Sequence, residues 1–125
     1  VLVPRALVAR EVLPDLLRAA GVQVDVVPVH ETRPADEARR AELVGLFEAR
    51  GVDVVLLTSS STADSLVELL GARAPELTEG VTVASIGPIT TATAEKRGLR
   101  VAVTARVSTT AGLVEAVEEH LAAAR

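Results

Sequence analysis

A doubly wound α/β fold on one parallel sheet is what this sequence predicts, and three observations predict it. Five short apolar runs alternate strictly with five stretches of helical periodicity. Most connections are only a few residues long, which makes neighbouring strands parallel with right-handed helical crossovers. Two of the apolar runs, Val52 to Thr58 and Val81 to Ile86, pass directly into Ser-Ser-Ser-Thr and Gly-Pro-Ile-Thr and then into a helix.

The elements follow in order. Val1–Val3 is a short strand ending at Pro4-Arg5. Val8–Ala20 is a helix, with Val8, Val12, Leu13, Leu16, Leu17 and Ala20 at helical spacing and Gly21 as its stop. Val22–Val29 is a second, valine-rich strand. A loop from His30 to Pro34 leads to a helix over Asp36–Arg50, charged on one side, with Leu43, Val44, Leu46 and Phe47 on the other. Val52–Thr58 is the most apolar strand and fits a position buried on both faces. A helix from Ser60 to Gly71 and a polar connection over Arg73–Gly80 precede the fourth strand, Val81–Ile86. Ile89–Arg97 is the fourth helix, Leu99–Val103 the fifth strand, and Thr109–Ala124 the closing amphipathic helix. With no glycine in the turn after the first strand, the dinucleotide-binding arrangement is disfavoured. The expected architecture is a flavodoxin-like, five-stranded sheet of order 2-1-3-4-5 with helices on both faces, as a single domain over residues 1–125.

Composition removes several function classes. The 125 residues are 49% hydrophobic and 24% charged, ordinary for one soluble domain. There are no cysteines, and the two histidines, His30 and His120, lack metal-ligand spacing, so no metal or thiolate site is expected. The net charge of −4 and the single aromatic residue, Phe47, argue against nucleic acid. No apolar run reaches membrane-spanning length, and a cytoplasmic protein is expected. The chain starts without Met in what reads as the middle of a strand, so it is expected to be a piece of a longer polypeptide. A receiver domain would need an aspartate where Thr58 stands. A flavin site would need a phosphate loop after the first strand, and a phosphate-binding Gly-Lys motif is absent.

What remains is the edge where the strands end. Helix N-termini there offer free N–H groups, and Arg5, Ser59, Ser60, Gly87 and Thr90 all follow strand C-termini, which makes them the candidate anion-binding residues. His30, at the end of the second strand, is the candidate for proton transfer. Ser59, Ser60 and Thr90 are also the residue types that cap helices, and a cap alone would explain any one of them.

With these residues in view, the chain resembles the C-terminal half of uroporphyrinogen-III synthase. The resemblance rests on Val3-Pro-Arg5, Val29-His-Glu-Thr32, Asp53-Val-Val-Leu-Leu-Thr-Ser-Ser-Ser61, Ser108 to Leu113, and most specifically Ala84-Ser-Ile-Gly-Pro-Ile-Thr90. It implies an enzyme that converts linear hydroxymethylbilane to uroporphyrinogen III, with loss of water and inversion of the last ring, and without cofactor or metal. It also implies a substrate with eight carboxylates, suited to a rim of helix N-termini, hydroxyls and arginines. In similar enzymes a tyrosine after the second strand is the suspected proton donor; His30 occupies that place here. The family further implies two domains joined by a crossover after the second strand, which falls at residues 31–35. An isolated half is expected to have little or no activity, to close on itself as a monomer, and to form a segment-exchanged dimer if that hinge extends. The contrasting reading is a stand-alone binding or structural domain.

Overall fold

A computed structural model describes residues 1–7, 9–31, 33 and 35–124. The chain divides into two compact units, Val1–Pro34 and Ala35–Arg125.

The first unit is a single strand–helix–strand crossover: β1 (Leu2–Ala6), α1 (Val12–Ala19) and β2 (Asp25–His30). β1 and β2 pair in parallel from Leu2 opposite Asp25 to Ala6 opposite His30, with an irregularity between Arg5 and Ala6. The second unit contains α2 (Glu37–Glu48), β3 (Val54–Leu57), α3 (Ser60–Leu70), a 3₁₀ turn (Gly71–Arg73), α4 (Ala74–Leu77), β4 (Thr82–Ser85), α5 (Pro88–Lys96), β5 (Val103–Thr104) and α6 (Thr110–Ala123). Its sheet has the order β3-β4-β5, all parallel, with Leu56 opposite Ala84 and Ser85 opposite Thr104.

Strand alternation divides the core of this unit between two faces. On one face Leu57 and Val83 pack with Phe47, Ala63, Leu66, Ala94 and Leu99. On the other, Ala84 packs with Ala105, Leu113 and Ala116 beneath α6.

The single five-stranded sheet of order 2-1-3-4-5 is not what forms: among the described residues the strands make two sheets, one of two strands and one of three. Alternation fixes parallel neighbours within each crossover but does not place β1 beside β3, because in that order the β2-to-β3 connection passes over β1. Pro4 weighs against the central position as well. Asp25 N–H donates to the Val1 carbonyl at 2.8 Å, so the odd-numbered residues of β1 face β2. Pro4, with no N–H to give, lies along the other edge, where proline is usually found in strands.

Two strand starts, those of β2 and β5, fall later than expected for one shared reason. Val22 N–H bonds the Leu17 carbonyl at 3.0 Å, Leu99 N–H bonds Ala94 at 3.0 Å, and Gly51 N–H bonds Leu46 at 2.9 Å. Val22 and Leu99, the apolar residues after the helix-stopping glycines Gly21 and Gly98 at φ 83° and 90°, are thus claimed by six-to-one closures of the preceding helices, whereas after α2 the closing donor is Gly51 itself, behind Arg50 at φ 56°. Leu99, expected to open the fifth strand, is instead a buried core residue. The Arg73–Gly80 connection folds as the 3₁₀ turn and α4, burying Ala74 and Leu77. Val8, expected to open the first helix, and Thr32 and Pro34 of the expected hinge lie outside the described residues.

Candidate anion-binding rim

Because β3, β4 and β5 are parallel, the helices that follow them begin at one edge of the three-stranded sheet. Each begins differently, and the differences decide which groups are free.

α3 opens with a reciprocal cap. Ser59 Oγ accepts from Thr62 N–H at 3.2 Å while Thr62 Oγ1 accepts from Ser59 N–H at 3.1 Å, and Ser59 Oγ also lies 3.0 Å from Ser61 Oγ. Ser59 is therefore occupied as a cap. Ser60, half-buried at the first position of α3, is in none of the hydrogen bonds among the described residues that hold this turn.

α5 opens on Gly87 and Pro88, with no side-chain cap. Its turn is shaped from below: Ser85, fully buried at the end of β4, donates its hydroxyl to the Gly87 carbonyl at 2.8 Å and accepts from Gly87 N–H at 3.3 Å. A Cβ on Gly87 would stand 2.8 Å from Ser108 Oγ, so the loop after β5 approaches this turn as closely as a glycine allows. Thr90 is buried in the first turn of α5, and its neighbour Thr91 shares a 2.6 Å hydroxyl–hydroxyl bond with Thr104 at the end of β5.

α6 opens on Thr109, whose hydroxyl accepts from Gly112 N–H at 3.0 Å. The loop before it carries Arg106, whose guanidinium pairs with the Glu119 carboxylate while its side chain stays 81% exposed. Such an exposed pair is weakly held.

The structure thus brings Ser59, Ser60, Gly87 and Thr90 to one edge of the second unit. Arg5 belongs to the first unit, where its guanidinium pairs with the Glu11 carboxylate and donates to the Arg10 carbonyl at 3.3 Å. Arg5 Nε is buried and has no partner among the described residues. His30 ends β2 in that same unit, and its side chain lies outside what is described. Sequence reasoning missed Ser85, Ser108, Arg106 and the Thr91–Thr104 pair. Ser85 was legible as a hydroxyl two residues before a glycine, the spacing of a side-chain-closed turn. A cleft of about 480 Å³ lies at the opposite edge of the sheet, lined by Thr78, Glu79, Gly98 and Arg100, so concavity does not single out the rim. Among the described residues no group of three or more His, Asp or Glu is placed to hold a metal ion, and no helix is long and apolar enough to cross a membrane.

The family model for uroporphyrinogen-III synthase HemD matches residues 1–115. The chain belongs to the uroporphyrinogen-III synthase family. It is 39% identical over 104 residues to a Methanothermobacter thermautotrophicus protein provisionally named uroporphyrinogen-III synthase, a match covering 79% of this chain and 41% of that one. It is 32% identical over 114 residues to the uroporphyrinogen-III synthase of Synechococcus elongatus, covering 88% of this chain and 43% of the relative. The crystal structure of the Helicobacter pylori uroporphyrinogen-III synthetase shares the fold, with a TM-score of 0.71 at 17% identity over 96% of this chain and 52% of that chain. The chain therefore spans about half the length of the relatives it matches.

Proposed function

We propose that this chain supplies one wall of a uroporphyrinogen-III-forming site, holding carboxylates of linear hydroxymethylbilane on the rim of its second unit. In this reading it corresponds to the C-terminal half of the synthase. The observation that carries the proposal is the convergence of three helix N-termini on one sheet edge, with Ser60 free and α5 uncapped by any side chain. Free N–H groups at a helix start attract carboxylates, and a hydroxyl or guanidinium beside them adds a charge-assisted bond. Ser60, Thr90 and the turn that opens α5 at Gly87, through the N–H groups of Ile89 and Thr90, are the binding groups, with Arg106 as a further cation.

The chemistry asks little of any one side chain. An electron-rich pyrrole expels its own hydroxyl as water once that hydroxyl is protonated, and ring closure with inversion then depends on which carbon is held in reach. The protein's contribution is to position a flexible polyanion. His30 is the proton donor in this reading, standing where similar enzymes carry a tyrosine. No cofactor enters the scheme.

The test is an assay for uroporphyrinogen III formed from hydroxymethylbilane, beside equilibrium binding of the polycarboxylate product. Ser60→Ala and Thr90→Ala should each weaken binding by about 2 kcal/mol, as for a hydrogen bond to a charged group. Turnover by the isolated chain should be little or none, since a single wall cannot enclose the substrate. Unchanged affinity in both variants would reduce these hydroxyls to structural roles and sink the proposal.

A further inference from the structure

Arg106 starts beside the opening of α5, yet its head group is engaged elsewhere. On one side of it, Ala105 N–H donates to the Ser85 carbonyl at 2.8 Å; on the other, Ser108 Oγ would stand 2.8 Å from a Cβ on Gly87. Ser85 and Gly87 are the two residues that shape the start of α5, so the backbone at Arg106 is pinned against that turn. The guanidinium nevertheless pairs with the Glu119 carboxylate, roughly two and a half turns past the start of α6. A cleft of about 210 Å³ lies along this route, lined among others by Arg106, Gly112, Glu115 and Glu119. Glu115 stands one turn nearer the rim than Glu119 but is not the partner of the guanidinium. Every group involved belongs to the second unit.

We infer that Glu119 is a resident counter-ion for Arg106, displaced when a ligand carboxylate arrives at the α5 turn. The inference rests on the proposed function and deepens it: Glu119 is a positioning residue that sets how tightly the rim holds a polycarboxylate. A guanidinium that already carries a carboxylate must give up that partner before it takes another, so the pair subtracts from the affinity Arg106 would otherwise supply. The exchange is within reach of a ligand because the pair is exposed, Arg106 at 81% and Glu119 at 54%, and weakly held. It also selects among ligands. A lone carboxylate gains little by replacing Glu119, whereas a polycarboxylate already seated on α5 presents its next carboxylate to Arg106 at high effective concentration.

The experiment is calorimetric binding of uroporphyrinogen III, kept reduced under nitrogen, to the wild-type chain and to Glu119→Gln, Arg106→Gln, the double variant and Glu115→Gln. Glu119→Gln should bind about threefold tighter than wild type and Arg106→Gln about threefold weaker, the scale of one exposed ion pair. The double variant should match Arg106→Gln alone, because without the guanidinium Glu119 has nothing to withhold. Glu115→Gln removes the same charge from the same cleft but frees no guanidinium, so it should gain less than Glu119→Gln. All three side chains are exposed, so the unfolding midpoints should stay at the wild-type value. A purely structural role for the pair would lower the midpoint or weaken binding, and would not tighten it. An affinity that depends on Ser60 and Thr90 but ignores Glu119→Gln overturns this inference alone. A gain that persists in the Arg106→Gln background, or that Glu115→Gln equals, overturns it as well. A chain that binds no uroporphyrinogen III overturns it together with the proposed function.

Discussion

Adding one methyl group at each of two helical glycines should give opposite results. Gly45, exposed in the middle of α2, has nothing within 4 Å of the position a Cβ would take. Gly45→Ala should therefore show the plain helix-propensity gain of about 1 kcal/mol. Gly112, in the first turn of α6, gains the same propensity, but its Cβ would stand 2.2 Å from the Val107 carbonyl oxygen and 3.1 Å from Val107 Cβ. That oxygen is backbone, tied by Thr109 N–H at 2.8 Å, and cannot swing aside. Relieving the overlap costs about 3 kcal/mol, the upper part of the usual range for overpacking. Displacing the first turn also loosens the Thr109 cap on Gly112 N–H, worth about 1 kcal/mol. Net of propensity, Gly112→Ala should destabilise by about 3 kcal/mol. Urea unfolding followed by far-ultraviolet circular dichroism measures both variants, and the midpoints should move in opposite directions with little change in slope. A Gly112→Ala chain at least as stable as wild type would refute the reasoning, since it would mean that the loop before α6 does not lie where the close approach requires.

Ser59→Ala should cost about 1 kcal/mol of stability through loss of the α3 cap, while Ser60→Ala should leave the unfolding midpoint nearly unchanged; equal costs would contradict the division between a committed and a free hydroxyl. Gly87→Ala should destabilise by about 1–3 kcal/mol through its overlap with Ser108 Oγ, and Ser108→Ala in the same chain should recover part of that, a coupling read from a double-mutant cycle.

Most of the order of elements was legible because periodicity and glycine stops are local. Val12, Leu13 and Leu16 at helical spacing, or Val54 to Leu57 as an unbroken apolar run, need no tertiary knowledge. What escaped was what the chain does at a distance. Whether β1 lies beside β3 is decided by edges, and Pro4 carried a clue to it that periodicity does not weigh. The late starts of β2 and β5 came from helix closures that capture Val22 and Leu99 for the preceding turn. At the rim, residue types pointed to Ser59, Ser60, Gly87 and Thr90, which share one sheet edge, but type alone could not separate the hydroxyl consumed by a cap from the one left over. Ser108 escaped because its approach to Gly87 spans a strand and a helix in sequence.

That separation bears on where a polycarboxylate would be held. A helix start whose donors already meet a side-chain oxygen has less to offer an anion than one whose donors do not. α3 satisfies Thr62 N–H through Ser59, and α6 satisfies Gly112 N–H through Thr109. α5 starts on a residue without a side chain, and the hydroxyl nearest to it, Ser85, turns inward to hold the Gly87 backbone rather than outward to cap the helix. The close approach of Ser108 then leaves no room for a side chain at position 87 that could do the capping instead. In the proposed function, α5 is therefore the turn where a substrate carboxylate takes the place of a cap. In the same proposal Ser60 and Arg106 would hold further carboxylates on either side of it, because α5 follows the central strand of the order β3-β4-β5.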